Sequence, residues 1–130
     1  MRVGFTGTQL GMTVYQKTAV RQLLIDLKPE YGIHGDCIGA DADFDKICKS
    51  LGIGVIIYPP LDPKKRAFCE AHMINPAEAY LDRNKKIVNL SDIMIATPKS
   101  KDEELRSGTW ATVRYTRKMG KKLYIINPEG

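Results

Sequence analysis

Apolar and polar positions along this chain alternate between two kinds of stretch. Short apolar runs stand at residues 2–6, 31–35, 54–58, 92–96 and 122–126. Runs of this length suit strands buried on both faces of a parallel sheet, and the β-branched segment Val55-Ile56-Ile57 is the strongest example. Between the runs, apolar residues recur at helical spacing. Val20, Leu23, Leu24 and Leu27 share one face, as do Ala40, Phe44, Ile47, Cys48 and Leu51. Leu81, Ile87, Val88 and Leu90 form a third set, and Trp110 with Val113 a fourth. The spacing predicts helices over 13–27, 40–51, 80–90 and 107–120. Thr13 with Gln16 three residues on has capping-box spacing, while Pro29 and Gly52 are stop signals. Residues 59–79 break the alternation: Pro59, Pro60, Pro63 and Pro76 interrupt them and periodicity is weak. One or two helical turns over 67–72 are the only element expected there. A connection of that length is usually functional or mobile.

Strands alternating with helices imply parallel pairing through right-handed crossovers. The expected fold is α/β: one Rossmann-like three-layer domain over 1–130, with a mainly parallel five-stranded sheet and no internal repeat. Ligands of such sheets bind beyond the carboxyl ends of the strands, at the switch point. That rule places residues 6–8, 34–41, 59–60 and 97–109 along one edge, and four stretches carry its candidate chemistry.

The first is Gly7-Thr8-Gln9, which can offer backbone N–H groups and an amide. The second is Gly35-Asp36-Cys37-Ile38-Gly39-Ala40-Asp41. Its glycines free the backbone, Asp36 is a candidate acceptor for ribose hydroxyls, and Asp41 falls in a first helical turn, where a carboxylate suits the dipole. The third is Arg83-Asn84, where an arginine can grip a phosphate with two prongs. The fourth is Ser107-Gly108-Thr109, a turn opening a helix, whose free N–H groups favour anions. Capping alone also explains Ser107, Thr109 and Asp41. The glycines match neither the dinucleotide fingerprint nor a Walker A loop. Glu103 and Glu104, in the loop before Ser107, read as ordinary surface acids or as the weak candidates for catalysis at a glycosidic bond.

Composition narrows the class. The net charge of +5 favours an anionic partner without choosing among nucleotide, nucleic acid and acidic protein. The stripe Arg114, Arg117, Lys118, Lys121, Lys122 keeps nucleic acid in play. Cys37, Cys48 and Cys69 lack disulfide or zinc spacing, and His34 and His72 are far apart, so no metal or cofactor is expected. Cys48 reads as a small core residue. No apolar run is long enough for a bilayer, and the start does not read as a signal peptide, so a cytoplasmic protein with no membrane role is expected.

Phe5-Thr6-Gly7-Thr8, His34 through Asp41, Arg83-Asn84 and Ser107-Gly108-Thr109 together give the chain a pattern that resembles the SLOG superfamily. That Rossmann-like group includes the LOG-type nucleotide phosphoribohydrolases, once called lysine-decarboxylase-like, and the DNA-processing DprA branch. The nearest likeness is to small stand-alone members from bacteria and their phages. The LOG motif is Pro-Gly-Gly-x-Gly-Thr-x-x-Glu. Gly108-Thr109 matches its Gly-Thr step, Thr112 stands where its catalytic glutamate would be, and Glu104-Leu105-Arg106 replaces Pro-Gly-Gly. The resemblance therefore implies a phosphate cradle without the hydrolase machinery. It also implies a homodimer, with the Trp110 helix as a candidate interface.

The expected function is binding of a nucleotide or nucleotide-derived small molecule. Hydrolysis of the N-glycosidic bond of nucleoside monophosphates, or DprA-like binding of single-stranded nucleic acid, are the alternatives.

Overall fold

The computed structural model describes residues 1–129. Strands β1 (Arg2–Gly7), β2 (Tyr31–His34), β3 (Gly54–Ile57), β4 (Met73–Ile74), β5 (Ile93–Thr97) and β6 (Lys122–Ile125) form one parallel sheet in the order β4-β3-β2-β1-β5-β6. Helices α1 (Val14–Leu27) and α2 (Ala40–Ser50) cover one face; α3 (Tyr80–Leu90) and α4 (Gly108–Lys118) cover the other. The switch point lies at β1, where connections leave in opposite directions.

The sheet has six strands rather than the expected five. The extra strand is the two-residue β4 within the proline-rich connection. Its pairing to β3 comes from tertiary contact, since Met73 and Ile74 are both exposed and carry no alternating pattern. The helical turns expected over 67–72 do not form. A 3-10 turn at Pro63–Lys65 comes earlier, and the chain then runs without regular structure to β4, with Phe68 in the left-handed region at φ 57°. The N–H groups of Ala67 and Cys69 are taken by the backbone and side chain of Asp36, which ties this stretch to the loop after β2.

The larger core lies under α1 and α2. Val20 and Leu24 pack with Val3, Phe5, Val55, Ile57 and Ile95, and Phe5 stacks on Phe44 at 4.4 Å between centroids. On the other face Ile87 and Val88 pack on Ile33 and Met94, while Trp110 and Val113 pack on Ala96. Trp110 is 5% exposed, which makes it a core residue and removes it as an interface side chain. The capping box is complete: Thr13 Oγ accepts from Gln16 N–H, and Gln16 Oε1 accepts from Thr13 N–H at 3.0 Å. The buried Gln16 amide also donates to the Pro98 and Ile126 carbonyls, each at 2.9 Å. One residue thus starts α1 and ties it to the chain beyond β5 and β6.

Candidate functional site

Each helix of a parallel sheet that follows or precedes a strand presents its N-terminus at the carboxyl edge. Here the starts of α2, α3 and α4 surround a cavity of about 410 Å³ above β1. Most of the expected site residues line it: Gly7, Thr8, Gln9, Gly35, Asp41, Arg83, Asn84, Ser107, Gly108 and Thr109. Three others do not. Asp36, Gly39 and Glu103 serve the scaffold around it.

Ser107 is the cap of α4, its hydroxyl accepting from Trp110 N–H at 3.3 Å. Gly108 and Thr109 occupy the first helical positions, whose N–H groups have no intrahelical acceptor. Gly108 lies directly against the Tyr80 hydroxyl, which would have to move to admit a Cβ there. Lys99 and Arg106 flank this turn from the preceding loop. Lys99 pairs with Glu104 at 3.5 Å, so Glu104 reaches the cavity with a counter-ion. Glu103 instead turns outward to Arg114 at 2.8 Å. Thr112, at the LOG glutamate position, is buried with its hydroxyl donating to the Gly108 carbonyl at 3.0 Å.

Arg83 is 3% exposed and forms part of the cavity wall. Its Nη1 donates to the Gly35 carbonyl at 2.5 Å and, more weakly, to the Tyr58 carbonyl at 3.4 Å. Its Nε has no partner among the described residues. An arginine buried this deeply with no carboxylate at ion-pair distance keeps spare donors. Gly35 makes room for it, since a Cβ at Gly35 would lie 2.3 Å from Nη1.

At the first loop the expected donors are partly spent. Thr8 N–H goes to the Thr97 carbonyl at 3.2 Å, and the Thr8 carbonyl and hydroxyl hold the N–H groups of Ala40 and Leu10. Gly7 lets the strand end pass Thr97 and Ala40, where a Cβ would stand 2.4 and 2.5 Å from their side chains. Gly39 does not line the cavity. It sits at φ 89°, and a Cβ there would stand 2.2 Å from the Gln9 carbonyl oxygen. Its role is to let the first loop lie against the second.

Asp36 differs most from the ribose-binding role expected of it. It is fully buried, at φ 53°, with one oxygen on Arg66 Nε at 2.8 Å and the other on Cys69 N–H at 2.9 Å. Both oxygens anchor the 59–79 connection, so neither is available to a ligand. Behind it lies a pair absent from the sequence reading. His34 Nδ1 accepts from Asp36 N–H at 2.9 Å, which leaves the ring proton on Nε2, directed at Asp45 Oδ1 at 2.9 Å. The Asp45 carboxyl is pushed up by burial, but hydrogen bonds from His34 and Lys49 outweigh this and hold it below its ordinary value. His34, Asp45 and Cys69 lie close enough for a metal. A metal on Nε2 would require the proton on Nδ1, where it would collide with Asp36 N–H, so the donor set does not fit one. The clue in the sequence was phase: Asp41 and Asp45 share the inward face of α2 with Phe44 and Cys48.

Asp41 is 7% exposed and its Oδ2 accepts from Cys37 N–H at 3.1 Å. Burial raises its carboxyl above the usual range, against the pull of His34, Arg83 and backbone N–H groups. Cys37, in the cavity wall, is likewise raised by burial and then by Asp41. It stands as a neutral thiol and lacks the character of a nucleophile. The site therefore carries Arg83, Lys99 and Arg106 against Asp41 and Glu104, with one helix start aimed into it.

These features define a Rossmann-like α/β protein with a polar, mixed-charge cavity at the switch point of its sheet. No family model and no curated protein matches the sequence. Solved structures do resemble it. One is the molybdenum cofactor binding protein from the phototrophic bacterium Rippkaea orientalis, at 21% identity and a TM-score of 0.75, over 97% of this chain and 76% of that one. The molybdenum cofactor carrier protein of Chlamydomonas reinhardtii gives 18% identity and 0.64, over 95% and 74%. The structural-genomics target TM1055 gives 13% and 0.67, over 94% and 71%. At such identities the likeness concerns the fold.

Proposed function

We propose that the chain is a SLOG-type protein that binds a nucleotide or nucleotide-derived small molecule, its phosphate at the start of α4. The observation that carries this reading is convergence: the free N–H groups of Gly108 and Thr109, the buried Arg83, and Lys99 with Arg106 border a single cavity. A helix start with cations beside it stabilises an anion. A volume of about 410 Å³ suits a small ligand and not a polymer. The molybdenum cofactor, named for two of the similar structures, is the second ligand class for the same cavity.

Binding is favoured over hydrolysis because Thr112 cannot act as an acid and, of the two expected candidates Glu103 and Glu104, only Glu104 borders the cavity, paired there with Lys99. The nucleic-acid alternative keeps only part of its basic stripe, with Arg117 and Lys118 exposed at the end of α4. Arg114 is held by Glu103 and the Leu105 carbonyl, and Lys121 by the Asn89 and Ser91 carbonyls. The expected homodimer belongs to the same proposal, and sedimentation at micromolar concentration checks it.

Calorimetric titration with nucleoside 5′-monophosphates and with isolated molybdenum cofactor tests the reading. Lys99→Ala with Arg106→Ala is expected to weaken phosphate-bearing ligands at least tenfold, about 1.4 kcal/mol, with no loss of fold. Unchanged affinity in the double variant counts against the placement of the phosphate. Release of free base, abolished by Glu104→Gln, would move the reading to the hydrolase.

A further inference from the structure

The phosphate reading leaves one cavity residue unexplained, Asp41. A buried carboxylate beside an anion site weakens anion binding by simple repulsion. Its neighbour Asp43 already supplies a charge to the first turn of α2, facing outward to Met12 N–H at 2.9 Å and to Lys17 at 3.9 Å. The dipole therefore does not call for a second acid pointing inward.

We propose that Asp41 is a second recognition group of the cavity, accepting O–H or N–H donors from the same ligand whose phosphate rests on α4. The proposal rests on the phosphate reading above and assigns the other end of the ligand. Three observations support it. Asp41 is 7% exposed, and what it faces is the cavity. No ion pair among the described residues includes it. An ionised carboxylate offers about four acceptor positions, and the backbone N–H groups of Cys37 and Gly35 occupy only part of them.

Topology separates the two ends. Asp41 begins the helix after β2, and Ser107 caps the helix after β5; these strands lie on opposite sides of β1. Two strand spacings put them on the order of 10 Å apart across the sheet. A ligand with a phosphate at one end and donors several bonds away fits that span without bringing phosphate and carboxylate together. Ribose hydroxyls and the amino or ring N–H groups of a base both supply such donors. Gly35 keeps the floor between them open: a Cβ there would come within 3.1 Å of Asp41 Oδ2 as well as striking Arg83.

The test is calorimetric titration of the wild-type chain and Asp41→Asn with inorganic phosphate, ribose 5-phosphate and the four ribonucleoside 5′-monophosphates. The tightest nucleotide is then compared with its 2′,3′-dideoxy analogue and with its base lacking the exocyclic amine or ring N–H. The wild type is expected to lose at least tenfold with one of the two analogues, and that analogue names the donor. Asp41→Asn is expected to erase this discrimination while binding inorganic phosphate as well as before or more tightly. Asparagine retains an oxygen for Cys37 N–H, and the analogue series on the wild-type chain stands without any substitution. Equal affinity for nucleotide and both analogues overturns the proposal, as does Asp41→Asn tightening every ligand alike; either result leaves the phosphate reading intact. Failure of every phosphorylated probe to bind the wild type overturns that reading and this proposal with it.

Discussion

At the scale of single residues, three aspartates in one loop-and-helix segment do three different things. Asp36 is a structural anchor, Asp45 a partner for His34, and Asp41 a group held in the cavity wall at some cost. Their titrations have opposite signs. Asp45 has a folded value below its unfolded one, so its stabilisation is present above the unfolded value and is lost as pH falls through the folded one. Asp41 has a folded value above its unfolded one, so its charged form costs stability at neutral pH and the cost disappears on acidification. Asp41→Asn is therefore expected to raise the melting temperature of the free protein at pH 7, with a difference that shrinks toward acid; a constant or reversed difference across pH contradicts this assignment. Asp45→Ala should cost about 1–3 kcal/mol, because it leaves the buried His34 N–H without an acceptor. Denaturant titration at pH 7 measures it. The sequence alone placed Asp36 at a ligand because acidic residues in nucleotide folds often serve ribose. It could not reveal that Arg66 and Cys69, 30 and 33 residues away, would take both oxygens.

Elements follow the local code where that code is strong. Unbroken apolar runs placed five of the six strands, helical spacing placed all four helices, and Thr13 with Gln16 placed the start of α1. The 59–79 connection has no such code. Its conformation is set from outside, by Asp36, by antiparallel backbone pairing of Arg66 with Cys37 and by pairing of β4 along β3, so irregular chain occurs where local pattern predicts helical turns. The site was legible for the same reason as the strands. Loop positions at the carboxyl edge follow from topology, and ten of the expected ligand-binding residues line the cavity. What topology did not supply was side-chain direction. Glu103 and Glu104 are neighbours in sequence, yet one faces Arg114 and the other the cavity. Two glycines separate scaffold from site at this scale. In Gly39→Ala, the new Cβ meets the Gln9 backbone in a left-handed conformation, and a loss of about 1–3 kcal/mol is expected. In Gly108→Ala, it meets only the end of the Tyr80 side chain, which can swing aside. That variant should keep most of its stability and lose ligand affinity instead. Thermal unfolding with and without ligand distinguishes the two; equal destabilisation by both would show that the Gly108 contact is structural.

For the molecule as a whole, a net charge of +5 is a weak guide, because many of its cations are engaged locally. Arg114 and Lys121 bond to neighbouring carbonyls or acids, and Arg66 is consumed by Asp36. What remains directed is the cluster at the switch point, where three cations and a helix start face a cavity that also holds Asp41. The described residues include no helix long and apolar enough to cross a membrane. If this cavity holds a phosphate-bearing small molecule, binding must raise the stability of the fold. Thermal unfolding against a panel of AMP, CMP, ADP-ribose, NAD and isolated molybdenum cofactor tests it most directly, with a short DNA strand as the control for the basic surface. A ligand at a hundred times its dissociation constant adds about 2.7 kcal/mol to stability. A clear rise in melting temperature is expected with at least one of the small molecules, cut by about half or more in the Lys99→Ala, Arg106→Ala double variant. A melting temperature unmoved by all five, or moved by DNA alone, contradicts it.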